Sequence, residues 1–515
     1  MSPTTRIILN TIATYGRSVV GLAFGLFSTR WVLQALGAND LGLYGVVGSL
    51  IAFITYINTT LAGAVSRFYA FSIGQGKHMC SVDAQCELRR WFNVAVFIHV
   101  VVPLVLVFIG YPLGLCAIKN WLVIPYDRLN ACIWVFRFAI FSAFVSMVAV
   151  PYTAMFQAKQ LIMELSTLSI AQTIAMFFCA YKLLSVTYDH LMFYGFYMMV
   201  IAVLFYIFQL IWAVLRFKEC RVRVSEFIDI KRIKDFLQFA GAKLFGSTCV
   251  IFRLQGGCVV LNKFFLPFVN AAYTISTQVS SHTNALSQAL IGALQPAVVT
   301  KAGENDIKGM IRYAVSSCRI ASVLVMVFII PLAVEINEVL RLWLGDPPRY
   351  SSSFCLCALM MLLFDKMSVG YMLAANAYGR RIVIYEIVLG VILLSSLPLT
   401  YVCFRLGLSP YSLSMSLAIT MLANSFARVL FCRWQLKMPV LPWFKSVFAP
   451  VLIVSVVGYL AGYFFKELFN PGVGRVIGIS SLEVLFVIIT GWHVILSQAE
   501  KTFAINFLKR LKGIV

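Results

Sequence analysis

A set of cations stands where the chain is otherwise hydrocarbon-like. Arg17 and Arg30 lie in segment 11–34, Arg67 near the end of 43–70, Arg137 in 130–152, Lys243 and Arg253 in 234–258, and Arg319 in 311–336. An Arg at the centre of a membrane helix costs about 2.5–3.5 kcal/mol on insertion scales, so such residues normally turn to a bundle interior or a wet cavity. No acidic residue lies within 11–34 or 43–70 to pair with them. Guanidinium groups in that setting suit anions, phosphate above all, whose oxygens accept paired hydrogen bonds from the planar fork. Polar companions are Asn58, with Thr59 and Thr60, and a stripe in 269–299 formed by Thr274, Thr277, Ser281, Asn284, Gln288 and Gln295. Its spacing places the stripe on one helix face, which in lipid must turn to other helices or to water. Each feature also has a structural reading. Arg30, Arg67 and Arg137 lie towards segment ends, where long side chains reach the headgroups. The stripe would serve equally for interhelical hydrogen bonds, worth about 0.6 kcal/mol each on average.

Carboxylates within apolar segments are few: Glu164, Glu335, Asp365, Glu386 and Glu483. A proton or sodium gradient as driving force requires such a group or an imidazole, which makes Asp365, Glu164, Glu386 and His282 the candidates for ion coupling. Asp365 stands beside Lys366, so mutual neutralisation is its plainer reading. Glu335 and Glu483 lie towards segment ends and read as solvated. Glu164 and Glu386 follow Lys159 and Arg381 by the same interval and read as corner braces. Catalytic and metal-binding patterns are absent. The histidines are dispersed, His78, Cys80 and Cys86 match no standard metal site, and Cys355-Leu356-Cys357 has no second pair. No bound cofactor is expected.

The elements that must position these groups follow from composition. The 515 residues are 61% hydrophobic and 12% charged, with mean hydropathy +0.89. That excludes an ordinary soluble domain, because apolar runs of membrane-spanning length recur from end to end. About fourteen spans are expected: 11–34, 43–70, 91–113, 130–152, 160–183, 191–215, 234–258, 269–299, 311–336, 353–377, 382–404, 410–431, 446–465 and 475–497. The formal charge of +22 does not argue for nucleic acid, since cytoplasmic loops of membrane proteins are rich in Lys and Arg and no basic groove module is visible. With the N-terminus inside, the even-numbered loops carry most of the basic residues, including Arg89, Arg90, Arg221, Arg223, Arg380 and Arg381. Both termini are therefore expected in the cytoplasm. Met1–Asn10 lacks a cleavage-site pattern, so no removable signal is expected. The connections are short and leave no room for an external catalytic domain.

Residues also recur at a nearly constant offset. Leu33 and Tyr44 answer Leu261 and Tyr273 at offsets 228 and 229, and Pro103-Leu104 answers Pro331-Leu332 at 228. Trp121-Leu122 and Pro125 answer Trp343-Leu344 and Pro347 at 222, as Lys159 and Glu164 answer Arg381 and Glu386. The offset spans an even number of helices, so the two halves lie parallel. The expected fold is an all-α polytopic membrane protein: two parallel six-helix repeat lobes around a central cavity, plus a C-terminal helix pair. The lobes cover 1–215 and 234–431, with a basic linker at 216–233, the helix pair at 432–497 and a basic amphipathic tail at 498–515.

Arg30-Trp31-Val32-Leu33, the turn Leu36-Gly37-Ala38-Asn39-Asp40-Leu41-Gly42-Leu43-Tyr44, Arg67, and Trp343-Leu344-Gly345 with Pro347 resemble bacterial polysaccharide flippases. The branch is the O-antigen (Wzx-type) family of the multidrug/oligosaccharidyl-lipid/polysaccharide exporter superfamily, and the resemblance covers essentially the whole chain. It implies alternating access between the lobes and transfer of undecaprenyl-diphosphate-linked oligosaccharide to the periplasmic leaflet of the bacterial inner membrane. That substrate, membrane lipids and polysaccharide assembly proteins are the implied partners. One departure stands out. Cation-exchanging relatives keep a carboxylate in the cavity helices, and segments 11–34 and 234–258 have none at mid-depth. A multidrug cation antiporter of the same superfamily is the nearest alternative, and would call for acids where only Asp235 stands at an edge. A membrane-embedded glycan-modifying enzyme is the second.

Overall fold

The computed structural model describes residues 3–76, 81–159, 161–303, 306–378 and 381–502; within these, several side chains, among them those of 3–12, 242–247 and 285–297, fall outside the description. Helices dominate, and no strand occurs among the described residues. In chain order they are α1 (Pro3–Gly76), α2 (Ser81–Cys116), α3 (Leu129–Ala158), α4 (Ile162–Leu183), α5 (His190–Arg216), α6 (Ile230–Phe264), α7 (Pro267–Gly303), α8 (Ile307–Val334) and α9 (Ile336–Leu344). Then follow α10 (Ser351–Lys366), α11 (Val369–Tyr378), α12 (Ile382–Leu394), α13 (Ser396–Arg405), α14 (Ser412–Leu436), α15 (Val440–Trp443), α16 (Ala449–Lys466) and α17 (Val473–Thr490).

A helix stands at each place where the sequence predicts a span. By length and composition, however, ten of the described helices could cross a membrane, or eleven if the bent pair α10–α11 counts as one crossing. Part of the difference lies in α1. The spans expected at 11–34 and 43–70 run on as two legs of one element, broken only at Gly37, whose φ of 69° and ψ of 173° are not helical. That region is open to glycine and strained for any residue with a Cβ. The protein is multi-pass, all-α and membrane-spanning.

Contacts divide the chain into two compact units, residues 1–271 and 272–515. The dividing point differs from the repeat boundary read from the sequence, because α6 packs on α1 and α2. In the first unit α1 is the hub, bordered by α2, α3, α4 and α6. Its first leg meets α4 through rings: Phe24 lies 4.5 Å and Trp31 4.9 Å from Phe177, and Trp31 lies 5.1 Å from Tyr181. In the second unit α8 and α14 are the hubs. α8 receives α10, α11, α16 and α17, and α14 receives α10, α12 and α13. Two of the pairs matched by offset share a local setting. Leu33 and Leu261 are both buried, and Pro103 and Pro331 both sit inside helices, α2 and α8, where each removes one backbone donor.

The turn motif of α1 has a mechanical explanation. Asp40 accepts from Arg128 at 2.6 Å, and Arg128 also donates to Asp189 at 2.8 Å, so one guanidinium ties α1 to the start of α5. Gly42 lets α1 approach the Pro267 carbonyl so closely that a Cβ would overlap it. Gly48, by contrast, faces open space. Gly42→Ala should therefore lower stability by about 1–3 kcal/mol through overpacking. Gly48→Ala should be neutral or raise it by about 0.5–1 kcal/mol as a better helix former. Thermal unfolding of the two purified variants in one detergent checks the pair; equal midpoints would remove the close approach as its cause.

Candidate functional site

The first unit keeps its carboxylates near helix ends and its mid-helix charge positive. In α1 the lone acid is Asp40 at the turn, against Arg17, Arg30 and Arg67 in the two legs; α3 holds Arg137 and no acid. Arg17, Arg30, Arg67 and Arg137 are all exposed on the chain's surface. Arg137 is steered by two neighbours. Its Nε donates to the Tyr111 hydroxyl at 3.1 Å, and its guanidinium lies 4.7 Å from the Trp134 ring centroid. Neither neighbour carries a negative charge. Arg253 of α6 is buried, at 3% exposure. The Lys243 side chain lies outside the described residues.

Asn58 is buried and donates to the Ser146 hydroxyl at 3.3 Å, joining α1 to α3. Ser146 also lines a cavity of about 260 Å³ among α1, α3, α4 and α5, with Thr55, Ser142, Tyr44 and Tyr206 as its hydroxyls. That cavity carries no charged residue. On α7, Thr277 and Ser281 are exposed and Asn284 and His282 half-buried, while Ile275, Ser276 and Thr283 are buried. Thr274, Thr277, Ser281 and Asn284 are thus on a more open face of the helix than their neighbours Ile275, Ser276 and Thr283. Thr277 turns its hydroxyl back to the Thr274 carbonyl at 2.7 Å. Gln288 and Gln295 lie outside the described side chains.

At its basic end the first unit is closed by ion pairs. Glu226 accepts from Arg89 at 2.9 Å and from Asn93 at 2.8 Å, and Asn93 in turn accepts from the Arg223 backbone N–H at 2.8 Å. Lys159 meets Glu219 at 2.9 Å. Arg232 reaches Glu87 at 2.7 Å and also pairs with Asp229. The backbone N–H of Arg232 and then its guanidinium hold the Asp229 carboxyl below its ordinary range. Glu164 accepts from the Trp212 indole at 2.9 Å, with Arg216 at 3.9 Å, and so links α4 to α5.

In the second unit α10 and α11 meet at 46° across Met367 and Ser368. A break inside hydrocarbon frees backbone carbonyls that only the protein can satisfy. Three donors do so. Ser425 bonds the Phe364 carbonyl at 2.5 Å, Arg428 the Asp365 carbonyl at 3.4 Å, and the Trp443 indole the Met367 carbonyl at 2.7 Å. Asp365 then bridges Lys366 at 3.1 Å and Arg428 at 2.9 Å. Lys366 is fully buried and the Arg428 side chain nearly so, at 8%. Two cations thus share one anion.

Sequence reasoning found the Asp365–Lys366 neighbours but missed Arg428, although a lone Arg well inside the apolar α14 was a readable signal. Glu386 is half-buried on α12. Arg319 is engaged within its own unit: it meets Glu500 at 3.3 Å and the Ser446 carbonyl at 3.3 Å. Glu335 and Glu483, expected to be solvated, are buried at 2% and 4%. Glu335 accepts from Arg475 at 2.9 Å.

No family model matches the chain, and no curated protein matches it. Twenty-nine chains of solved structures do. The fold they define is that of transporters of the MOP superfamily. An inward-facing multidrug resistance MATE family transporter of that superfamily has a TM-score of 0.69 at 12% identity, covering 85% of this chain and 98% of its own. The lipid II flippase MurJ, in an inward closed conformation, has a TM-score of 0.67 at 14% identity, covering 94% of this chain and 98% of its own. A MOP superfamily transporter from Pyrococcus furiosus, whose binding pocket is described as reversed in polarity, has a TM-score of 0.60 at 12% identity, covering 85% and 96%. These neighbours are transporters or flippases.

The charge balance at the α10–α11 break is open to test. Asp365→Ala leaves Lys366 and Arg428 buried without their shared anion, and should lower stability by about 3–5 kcal/mol. A melting midpoint equal to wild type in detergent would show that the carbonyl bonds alone hold the break.

Proposed function

We propose that this protein carries a lipid-linked, phosphate-bearing glycan from one leaflet to the other, undecaprenyl-diphosphate-linked oligosaccharide being the substrate, by alternating access. The observation that carries this reading is the cationic, carboxylate-free mid-depth of α1 and α3. A diphosphate crossing bare hydrocarbon would meet a prohibitive desolvation barrier. Arg17, Arg30, Arg67 and Arg137 stand exposed along those two helices, and Arg17 and Arg30 alone cover about 20 Å of helix, at about 1.5 Å per residue. A row of guanidinium forks over that distance hands phosphate oxygens from one to the next without leaving the charge bare. The hydroxyl and amide stripe of α7 offers donors and acceptors suited to sugar hydroxyls. The fold supports the reading further: the lipid II flippase structure matches 94% of this chain, against 85% for the multidrug transporter. O-antigen or capsular assembly, the bacterial inner membrane and cytoplasmic termini belong to the same proposal.

A second reading has one observation in its favour, the TM-score of 0.69 to a multidrug transporter. A cationic drug, however, would meet like charge along α1.

Transfer of fluorescent undecaprenyl-diphosphate oligosaccharide between the leaflets of proteoliposomes decides between them. Wild type should transfer it, and Arg17→Ala and Arg30→Ala, both exposed and so compatible with folding, should each slow transfer by about tenfold or more, the loss of one charge-assisted hydrogen bond. Unchanged rates in both variants would reduce these residues to headgroup anchors. Failure of wild type with several glycans, together with gradient-driven export of a cationic dye, would favour the multidrug reading.

A further inference from the structure

One buried carboxylate in the second unit has no counter-charge among the described residues. Glu483, on α17, is 4% exposed, and its Oε2 is buried without a hydrogen-bond partner among the described residues. Its other oxygen lies against α16, where a Cβ at Gly462 would come within 2.5 Å of Oε1 and 2.8 Å of Val334 Cγ2. One turn away, Gly458 would meet Phe486 at 3.0 Å and Ile330 at 3.2 Å. At Gly458 and Gly462 the seam joining α16, α17 and α8 is therefore close-packed against Val334, Ile330 and Phe486, with one acid set into it.

The charged groups on the surrounding elements are bound to partners other than Glu483; Lys466, one turn from Gly462 on α16, stands next to it in the helix. Arg475, on α17 itself, is bound to Glu335, the residue that follows α8, at 2.9 Å, and eight residues of helix, about 12 Å, separate it from Glu483. Lys466 of α16 donates to the Val334 carbonyl at 3.3 Å and covers the Tyr463 ring at 4.4 Å. Glu338 of α9 holds Arg341 at 2.9 Å. Arg319 of α8 is paired with Glu500, and His493, ten residues beyond Glu483, is exposed. No cation stands within 4.0 Å of Glu483 among the described residues. An ionised carboxylate desolvated in that way neutralises itself by taking a proton. A metal cation is a poor fit, since hard cations gather several oxygens and no cluster of acids or histidines accompanies Glu483 among the described residues.

We infer that Glu483 is a proton-binding site built into the C-terminal helix pair, occupied when α17 is seated against Gly462 and Val334. The carboxylate takes one proton from water and becomes a neutral acid. Giving it back requires water to reach the carboxyl, which means that α17 must part from α16 and α8. Proton occupancy and closure of the seam are thus linked, and each favours the other. The inference stands apart from the substrate assignment, because its test does not involve transport.

The test is infrared spectroscopy of the full chain in lipid nanodiscs, taken as the difference between wild type and Glu483→Gln. The expected result at neutral pH is the carbonyl stretch of a protonated carboxyl in wild type, absent from the variant and lost in alkaline buffer. A carboxylate signature at neutral pH overturns the inference. So does a protonated band that persists unchanged in alkaline buffer, since that describes a permanently neutral acid. Should Glu483→Gln fail to fold, carbodiimide modification of wild type, mapped by mass spectrometry, replaces it. Adduct at Glu483 that declines as pH rises supports the site, and no adduct at any pH overturns it.

Discussion

A polar group inside hydrocarbon has only the protein to satisfy it, and most of the second unit follows from that constraint at one place. The chain breaks between α10 and α11, freeing carbonyls at Phe364, Asp365 and Met367, and three side chains from α14 and α15 come to meet them. Those bonds fix α14 against the break, and α14 in turn carries α12 and α13. Lys366 and Arg428 are then buried around a single carboxylate. Local and long-range structure are inseparable here. The bend exists because distant residues accept it, and they tolerate burial because the bend supplies their partners.

The first unit meets the same constraint at its ends. Asp40, Arg128 and Asp189 close one corner, with Asn262 pairing the backbone of Val123 beside them. Glu226, Arg89, Asn93 and Lys159 with Glu219 close the other. Between these corners the pattern changes: Arg17, Arg30, Arg67 and Arg137 stand exposed on α1 and α3, two helices whose lone acid is Asp40 at the turn. On the reading proposed above, that stretch is the place for an external anion. Arg137 illustrates the point, since Tyr111 and Trp134 orient its guanidinium without cancelling its charge.

Sites of strain and close approach were only partly readable. Gly37 and Gly42 lie in the motif that carried the family resemblance, yet nothing in their spacing says that one holds a non-helical φ and ψ and the other admits the Pro267 carbonyl. Pro103 and Pro331, matched by offset, both occur inside helices. Arg319 reads as a cavity cation in sequence, but in the fold it binds Glu500, far beyond the reach of any local pattern. Glu483 reads as solvated because it lies near the end of an apolar run. Burial depends on what packs over that end, and Gly462, with no side chain of its own, is what lets α16 do so.

The amino-acid sequence alone determined that the protein is helical and membrane-spanning, where its helices lie, and which positions carry charge at mid-depth. Those properties follow from residue type and from one-dimensional spacing, because hydrocarbon demands an apolar run of fixed length and helical backbone throughout. Tertiary structure decided which charges are paired. Asp365 with Arg428, Arg319 with Glu500 and Glu335 with Arg475 join residues far apart in the chain, and the same packing leaves Glu483 without a counter-ion among the described residues. The physical reason is range. Insertion into lipid is a property of each segment, whereas the solvation of a buried charge depends on whichever atoms the fold brings within a few ångströms of it.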